Sequence, residues 1–254
     1  MKIDQITKDI KKDLIVLKKN FIIIKNISKN RKILKNKALS ISNSLGELLP
    51  QSNKGNYIQE IKPSNKQKKL SKKLIKEKLR YHETNLGGSI HTDGPQLNIP
   101  PKYVVLVCVK QAKFGGYSKL VNTGKIYNFL KNNRKQILKN LQQNFFFEKR
   151  GFEKRNKSKV LFKPIFRKNK KKINFRYLRE YIEAGHKIKN KALNSSQLKS
   201  LNCLDRLLMS NKFAINFKLN TGDLLILNND QVAHGRTKFS LEKNNRTLIR
   251  IWIR

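Results

Sequence analysis

The chain has 254 residues, with 58 Lys plus Arg against 16 Asp plus Glu and a formal net charge of +42. That length suits one domain with a sizeable core; no apolar run reaches the roughly eighteen residues that a membrane-spanning helix needs, and two cysteines without zinc spacing argue against a disulfide or zinc framework. The basic excess is mostly lysine, with thirteen arginines, and Asn and Ile are also abundant. All three residue types share A/T-rich codons, so genome composition accounts for the pattern without a dedicated anionic partner. Weak, salt-sensitive polyanion binding is expected from charge alone, and no specific nucleic-acid partner.

In chain order, residues 1–80 read as a lysine-rich, mostly helical lead-in. Its start alternates charges with Ile and Leu and has no compact apolar core before a small-residue cleavage site, so a secretory signal is not expected and the cytoplasm is the expected compartment. A loop at 50–56 interrupts the lead-in. Residues 66–80, with Leu and Ile at helical spacing, predict an amphipathic helix with a lysine-covered, solvated face. Tyr81, His82 and Asn85 then stand as candidate pocket residues beside a glycine-rich stretch, Gly87-Gly88-Ser89-Ile90-His91-Thr92-Asp93-Gly94-Pro95. After Pro100-Pro101 the apolar run 103–109 predicts a strand buried on both faces, with Cys108 inside it. A Gly115-Gly116-Tyr117-Ser118 turn follows.

Residues 123–141 predict one helix, with Ile126, Phe129, Leu130, Ile137 and Leu141 near one face. Residues 145–147 and 160–166 predict strands around a basic turn, and 167–172 form a second dense basic run. Residues 175–182 and 195–209 read as helical or mixed, the latter holding Cys203 in a packing position; Phe166 and Tyr177 are expected in the core. Residues 222–229 predict a turn and then a strand. Residues 246–252 alternate as a half-buried strand does, which puts Arg246 and Arg250 on one face.

Two short segments about 140 residues apart carry the chemistry: His91-Thr92-Asp93 and Ala233-His234-Gly235-Arg236. Together they supply two imidazoles and one carboxylate, the ligand set that leaves three positions open on Fe(II), although Co(II), Ni(II) or Mn(II) also suit it. In an extended segment His91 and Asp93 project from the same side while Thr92 points away. The flanking glycines let the backbone pass close to a bound ion or ligand.

With these motifs the chain resembles the taurine dioxygenase and clavaminate synthase-like family of Fe(II)/2-oxoglutarate-dependent oxygenases, from about residue 81 to 254. His91, Asp93 and His234 match the family's iron triad. Gly115-Gly116-Tyr117-Ser118 matches its Gly-Gly-x-Thr/Ser turn, with Ser118 where threonine is usual, and Arg246 matches the arginine that pairs with the distal carboxylate of 2-oxoglutarate. A guanidinium suits that carboxylate better than an ammonium because it binds bidentately. Arg250 matches a position that in some members meets an acidic group on substrate or cosubstrate. Residues 38–49 resemble the family's lead-in helix and turn. The positions that touch substrate in relatives are not matched.

The resemblance implies a mixed β fold with peripheral α: a double-stranded β-helix (jelly-roll) core with surrounding helices. It implies one oxygenase domain over 1–254, with residues 81–254 as the core and about 123–210 as an insert that covers the site and sets specificity. It implies Fe(II) as cofactor, 2-oxoglutarate as cosubstrate and O2 as oxidant. The expected reaction is hydroxylation of a small polar or anionic molecule, such as an amino-acid derivative or a sulfonate, with 2-oxoglutarate converted to succinate and CO2; Arg250 and Arg236 suit an anionic group. The alternative is a nucleic-acid-binding or nucleic-acid-modifying protein on the same fold that uses the basic charge.

Overall fold

The computed structural model describes residues 5, 8–10, 12–13, 20–52, 54–69, 79, 81–150, 152, 158–170, 172–241 and 246–254. In chain order these form β1 (Phe21–Ile24), α1 (Arg31–Leu45), β2 (Leu48–Leu49), β3 (Ile58–Ile61), β4 (Gly88–His91), β5 (Tyr103–Lys110) and β6 (Ser118–Asn122). Then come α2 (Thr123–Asn133), α3 (Lys135–Leu141), β7 (Asn144–Glu148), β8 (Val160–Pro164), β9 (Phe166–Asn169), β10 (Lys172–Phe175) and α4 (Arg179–Ile188). Helix α5 (Ser195–Met209) and strands β11 (Ala214–Phe217), β12 (Leu224–Asn228), β13 (Val232–Arg236) and β14 (Thr247–Ile253) complete the series.

The fold mixes helices with antiparallel sheets. The larger sheet runs β1-β12-β5-β14-β2, with β3 also on β14, and the smaller runs β11-β6-β13-β4. Side-chain alternation along β14 separates two cores. Ile249, Ile251 and Ile253 pack with Val105, Val107 and Ile226 against Leu34, Ala38 and Ile41 of α1. Leu248 and Trp252 turn the other way, packing with Val104, Leu106, Leu225 and Leu227 toward Leu120 and Val232 of the smaller sheet. A third core, Ile90, Val121 and Ala233 with side chains of α2, α3, α5 and β7 to β10, covers the outer face of the smaller sheet. The chain's asparagines serve as helix caps: Asn30 accepts from the Lys32 and Ile33 amides, Asn122 from Lys125, and Asn194 forms a capping box with Gln197.

Several expectations are corrected. Among its described residues the lead-in is not mostly helical: besides α1 it supplies β1, β2 and β3, which join the larger sheet because their Ile and Leu residues complete its edges. Of the amphipathic helix expected over 66–80, residues 65–69 form a 3-10 turn, and 70–78 and 80 lie outside the described residues. The helix expected over 123–141 breaks at Arg134, whose backbone (φ −147°, ψ 54°) is not helical. The break resets the helical phase, so Leu138 rather than Ile137 is buried beside Leu141. Finally, β14 is buried on both faces. Its inward positions include Arg250, which sequence alternation alone reads as a solvent side.

Candidate metal centre

His91 is the last residue of β4 and lies directly opposite His234 of β13 in the ladder. Ile90 and Ala233 pack in the outer core, so the two imidazoles face the space between the sheets. Their ring centroids are 4.7 Å apart. Asp93 lies two residues beyond the end of the strand, with Oδ1 3.7 Å from His91 Nε2 and Oδ2 4.0 Å from His234 Nε2. One ligand atom from each residue lies within 4.8 Å of the others, and all three residues converge on one point. That spacing and this donor set suit iron(II).

The surroundings preset the donor states. His91 Nδ1 lies 2.8 Å from the Ser89 carbonyl. A carbonyl only accepts, so Nδ1 is the donor and Nε2 is the nitrogen turned to the centre. Burial lowers the pKa of His234 to about 3, with His91 adding to the effect, so its imidazole is neutral at ordinary pH. For Asp93, burial would raise the carboxyl. The Arg250 guanidinium, both imidazoles and the Trp252 N–H outweigh it and hold Asp93 at about 2. A neutral imidazole at His234 and an ionised carboxylate at Asp93 suit a divalent metal.

Loops fix the placement. Thr92 points away, as expected: its amide donates to the Tyr177 carbonyl at 2.9 Å and its hydroxyl accepts from the Tyr177 amide at 3.0 Å. Asn229, in the β12–β13 turn, accepts from the Asp93 amide and donates to the carbonyls of Asp93 and Pro101, at 2.8–2.9 Å. Gly94 has φ +62°, and a Cβ there would stand 2.7 Å from the Pro101 ring, so only glycine fits this return. Both Oδ atoms of Asp93 are engaged: Oδ1 accepts from Arg250 Nη1 and Oδ2 from Trp252 Nε1, each at 2.9 Å. Gln51, from the turn between β2 and β3, accepts from Arg250 Nε at 2.7 Å. Asn229, Gln51 and the indole donor of Trp252 carry no motif and were not among the residues singled out from sequence.

The remaining expected site residues divide. Ser118 is buried at the start of β6, paired in register with Arg236. Arg246 is buried; its Nε donates to Gln111 at 3.0 Å, its guanidinium lies 5.6 Å from the Phe239 ring, and burial lowers it to about 10. A Cβ at Gly116 (φ +71°) would stand 3.2 Å from Arg246 Nε, so the Gly-Gly turn makes room for that side chain. Arg250, expected at an acidic group of substrate or cosubstrate, pairs with Asp93, because a buried carboxylate needs a counter-charge. Arg236 is used by the backbone, donating to the carbonyls of Tyr81, Thr84 and Leu86 between the rings of Tyr81 and Phe239. Tyr81 does border the site, its ring edge-on to His91 at 5.5 Å. Asn85 is a structural tie to Gln67 and Phe239, and Phe166 and Tyr177 are core. One basic cleft lies apart from the triad: a cleft of about 390 Å³ between the 98–102 segment and β8 to β10, lined by Lys102, Lys163, Arg167, Lys172, Arg176 and Arg254, contains none of the three candidate ligands.

Residues 3–252 match the family described as "Taurine catabolism dioxygenase TauD, TfdA family". Among curated proteins, FR-33289 synthase of Streptomyces rubellomurinus is 24% identical over 215 residues, covering 82% of this chain and 60% of that protein. A taurine hydroxylase-like protein of Stachybotrys chartarum is 24% identical over 178 residues, 68% of this chain and 45% of that one. The chain thus spans about half to three fifths of the length of these relatives. Among solved structures, asparagine oxygenase in complex with Fe(II), 3-hydroxyasparagine and succinate superposes with a TM-score of 0.74 at 13% identity, over 98% of this chain and 79% of that one. The non-heme iron oxygenase OrfP with Fe and alpha-ketoglutaric acid gives 0.70 at 11%, over 98% and 79%.

Proposed function

The chain belongs to the TauD/TfdA family of dioxygenases, and from that premise we propose that it is an Fe(II)/2-oxoglutarate-dependent oxygenase that hydroxylates a small polar molecule. The observation that carries this reading is the convergence of His91, Asp93 and His234 within 4.8 Å, with the Asp93 carboxyl held low and the His234 imidazole neutral. In this reading the three residues ligate iron. Iron held there would supply, with 2-oxoglutarate and O2, the oxidising power for C–H hydroxylation coupled to conversion of 2-oxoglutarate to succinate and CO2. Arg246 holds the distal carboxylate of 2-oxoglutarate, with the Ser118 hydroxyl as a second donor. Its burial strengthens that pairing by excluding water.

The two facing antiparallel sheets are read as a double-stranded β-helix, and residues 1–254 as one oxygenase domain in which about 123–210 covers the site. An amino acid or amino-acid derivative is the proposed substrate class. Support comes from asparagine oxygenase, solved with 3-hydroxyasparagine, and OrfP, solved with (3S)-hydroxy-L-Arg. Arg236, spent on backbone carbonyls, has no part in substrate recognition. The nucleic-acid alternative rested on charge, and the basic cleft apart from the triad gives it no support.

The test is anaerobic addition of Fe(II) and 2-oxoglutarate, read by the weak visible charge-transfer band of the chelate. Wild type is expected to show it, His91→Ala to abolish it and Arg246→Ala to weaken it. Iron-loaded wild type without the band would overturn the proposal.

A further inference from the structure

Asp93 is held from outside by a chain of contacts that begins at Gln51. Strands β2 and β3 both pair with β14, at Trp252–Leu49 and Arg250–Gln59, so the turn joining them lies against Arg250. Gln51 sits in that turn, 5% exposed, with its amide on the Asn56 carbonyl. Its side chain grips Arg250 twice: Oε1 accepts from Nε at 2.7 Å, and Nε2 donates to the Arg250 carbonyl at 2.8 Å and to the Tyr57 carbonyl at 3.0 Å. Arg250 is thereby fixed at both main chain and guanidinium, with its head 4.9 Å from the Trp252 ring. Arg250 and Trp252 then each hold one oxygen of Asp93.

A carboxylate on a single rotatable bond can swing, or chelate a metal through both oxygens. A donor on each oxygen restricts both freedoms. It sets the plane of the group, occupies one lone-pair direction on each atom, and leaves a limited arc for a metal. A guanidinium also withdraws charge from the ligand, so the clamp trades donor strength for a fixed geometry.

From these contacts we infer that Gln51 and Trp252 are positioning residues for the metal ligand Asp93, acting with Arg250 as an outer clamp that sets metal affinity. The inference rests on His91, Asp93 and His234 being the metal site. Outer partners of this kind typically alter metal affinity by about 10–100-fold when removed. Trp252 is the only tryptophan of the chain and hydrogen-bonds the ligand itself, so its fluorescence reports metal arrival without turnover.

The experiment titrates Co(II), a spectroscopic stand-in for Fe(II), into the metal-free full chain under argon. Trp252 quenching and the visible Co(II) bands are both followed. Four variants are compared with wild type: Gln51→Leu, Trp252→Phe (read by the Co(II) bands alone), His91→Ala, and Gln67→Leu. Gln67 is a matched control, a buried glutamine that ties Asn85 and makes no contact with Asp93. Gln51→Leu and Trp252→Phe are expected to raise the Co(II) Kd by about 10–100-fold and to shift the Co(II) bands, while Gln67→Leu lowers thermal stability and leaves Kd and bands in place. If Gln51→Leu and Gln67→Leu behave alike, each less stable with unchanged Kd, Gln51 is merely a loop staple and the inference is overturned. If Gln51→Leu does not fold, Trp252→Phe decides: an unchanged Kd overturns the clamp. If wild type shows no Co(II) binding that His91→Ala removes, the metal-centre reading itself fails, an outcome distinct from the others.

Discussion

Replacing Arg250 by Met in the metal-free protein leaves the Asp93 carboxylate buried without its guanidinium. The structure sets the size of the loss. Asp93 is held at about 2 against an ordinary 3.8; at about 1.4 kcal/mol per tenfold, its ionised form contributes on the order of 2–3 kcal/mol to folding at neutral pH. Stripping one partner from a buried ion pair typically costs about 3–5 kcal/mol, because burial then raises the carboxyl instead, and both figures point to a large effect. The sign with pH follows from a folded-state pKa below the unfolded one. The contribution is fully present above the ordinary value and is lost as pH falls through about 2, with about half remaining near pH ~3. The variant's penalty, by contrast, disappears once its raised carboxyl is protonated. Urea unfolding with a chelator present is therefore expected to show a stability gap of about 3 kcal/mol or more at neutral pH, narrowing steadily toward pH ~3. A gap that stays constant with pH, or one within the roughly 0.5 kcal/mol of an ordinary surface substitution, would refute the reasoning.

Other expectations follow from single contacts. Asn229→Ala removes three hydrogen bonds around Asp93 and Pro101; with buried groups left unpaired at about 1–3 kcal/mol each, it is expected to cost several kcal/mol in denaturant unfolding and to weaken metal binding. Gly116→Ala forces a side chain into a left-handed backbone against Arg246 and is expected to raise the KM for 2-oxoglutarate more than it lowers kcat, checked by succinate release at saturating substrate. Arg246→Lys exchanges a planar fork for a point charge and is expected to weaken 2-oxoglutarate binding at least tenfold, about 1.4 kcal/mol, measured by the chelate band. Cys108, buried and raised by burial to about 12, is expected to resist iodoacetamide in the native protein and to react only after unfolding, checked by peptide mass analysis.

The parts of this molecule that were legible in the sequence are those where one residue type carries its own signal. His91-Thr92-Asp93 stood out by spacing and the 103–109 run by unbroken apolarity, while residues 195–209, which form α5, read only as helical or mixed. What stayed hidden depends on pairing across the chain. Strands β1, β2 and β3, at four, two and four residues, are too short to announce themselves within a lysine-rich lead-in, and they become strands because β12 and β14 offer them edges. Arg250 lies on the face shared with Arg246, as alternation implies, yet its partner could not be read: the charge it answers is 157 residues away. Asn229 and Gln51 are neutral amides in a chain crowded with asparagine and glutamine, and only the folded geometry separates them from the rest.

The register that sets His91 opposite His234 has a consequence in time. The two strands are separated by some 140 residues of intervening chain, and contacts that distant form late because a long loop must close before they are rewarded. The unfolded chain therefore offers a divalent ion no compact cage, and metal cannot seed the fold. In the reading proposed above, a metal held by both histidines would enter a finished scaffold, join two neighbouring strands as a reversible crosslink, and act chiefly on the rate at which they come apart.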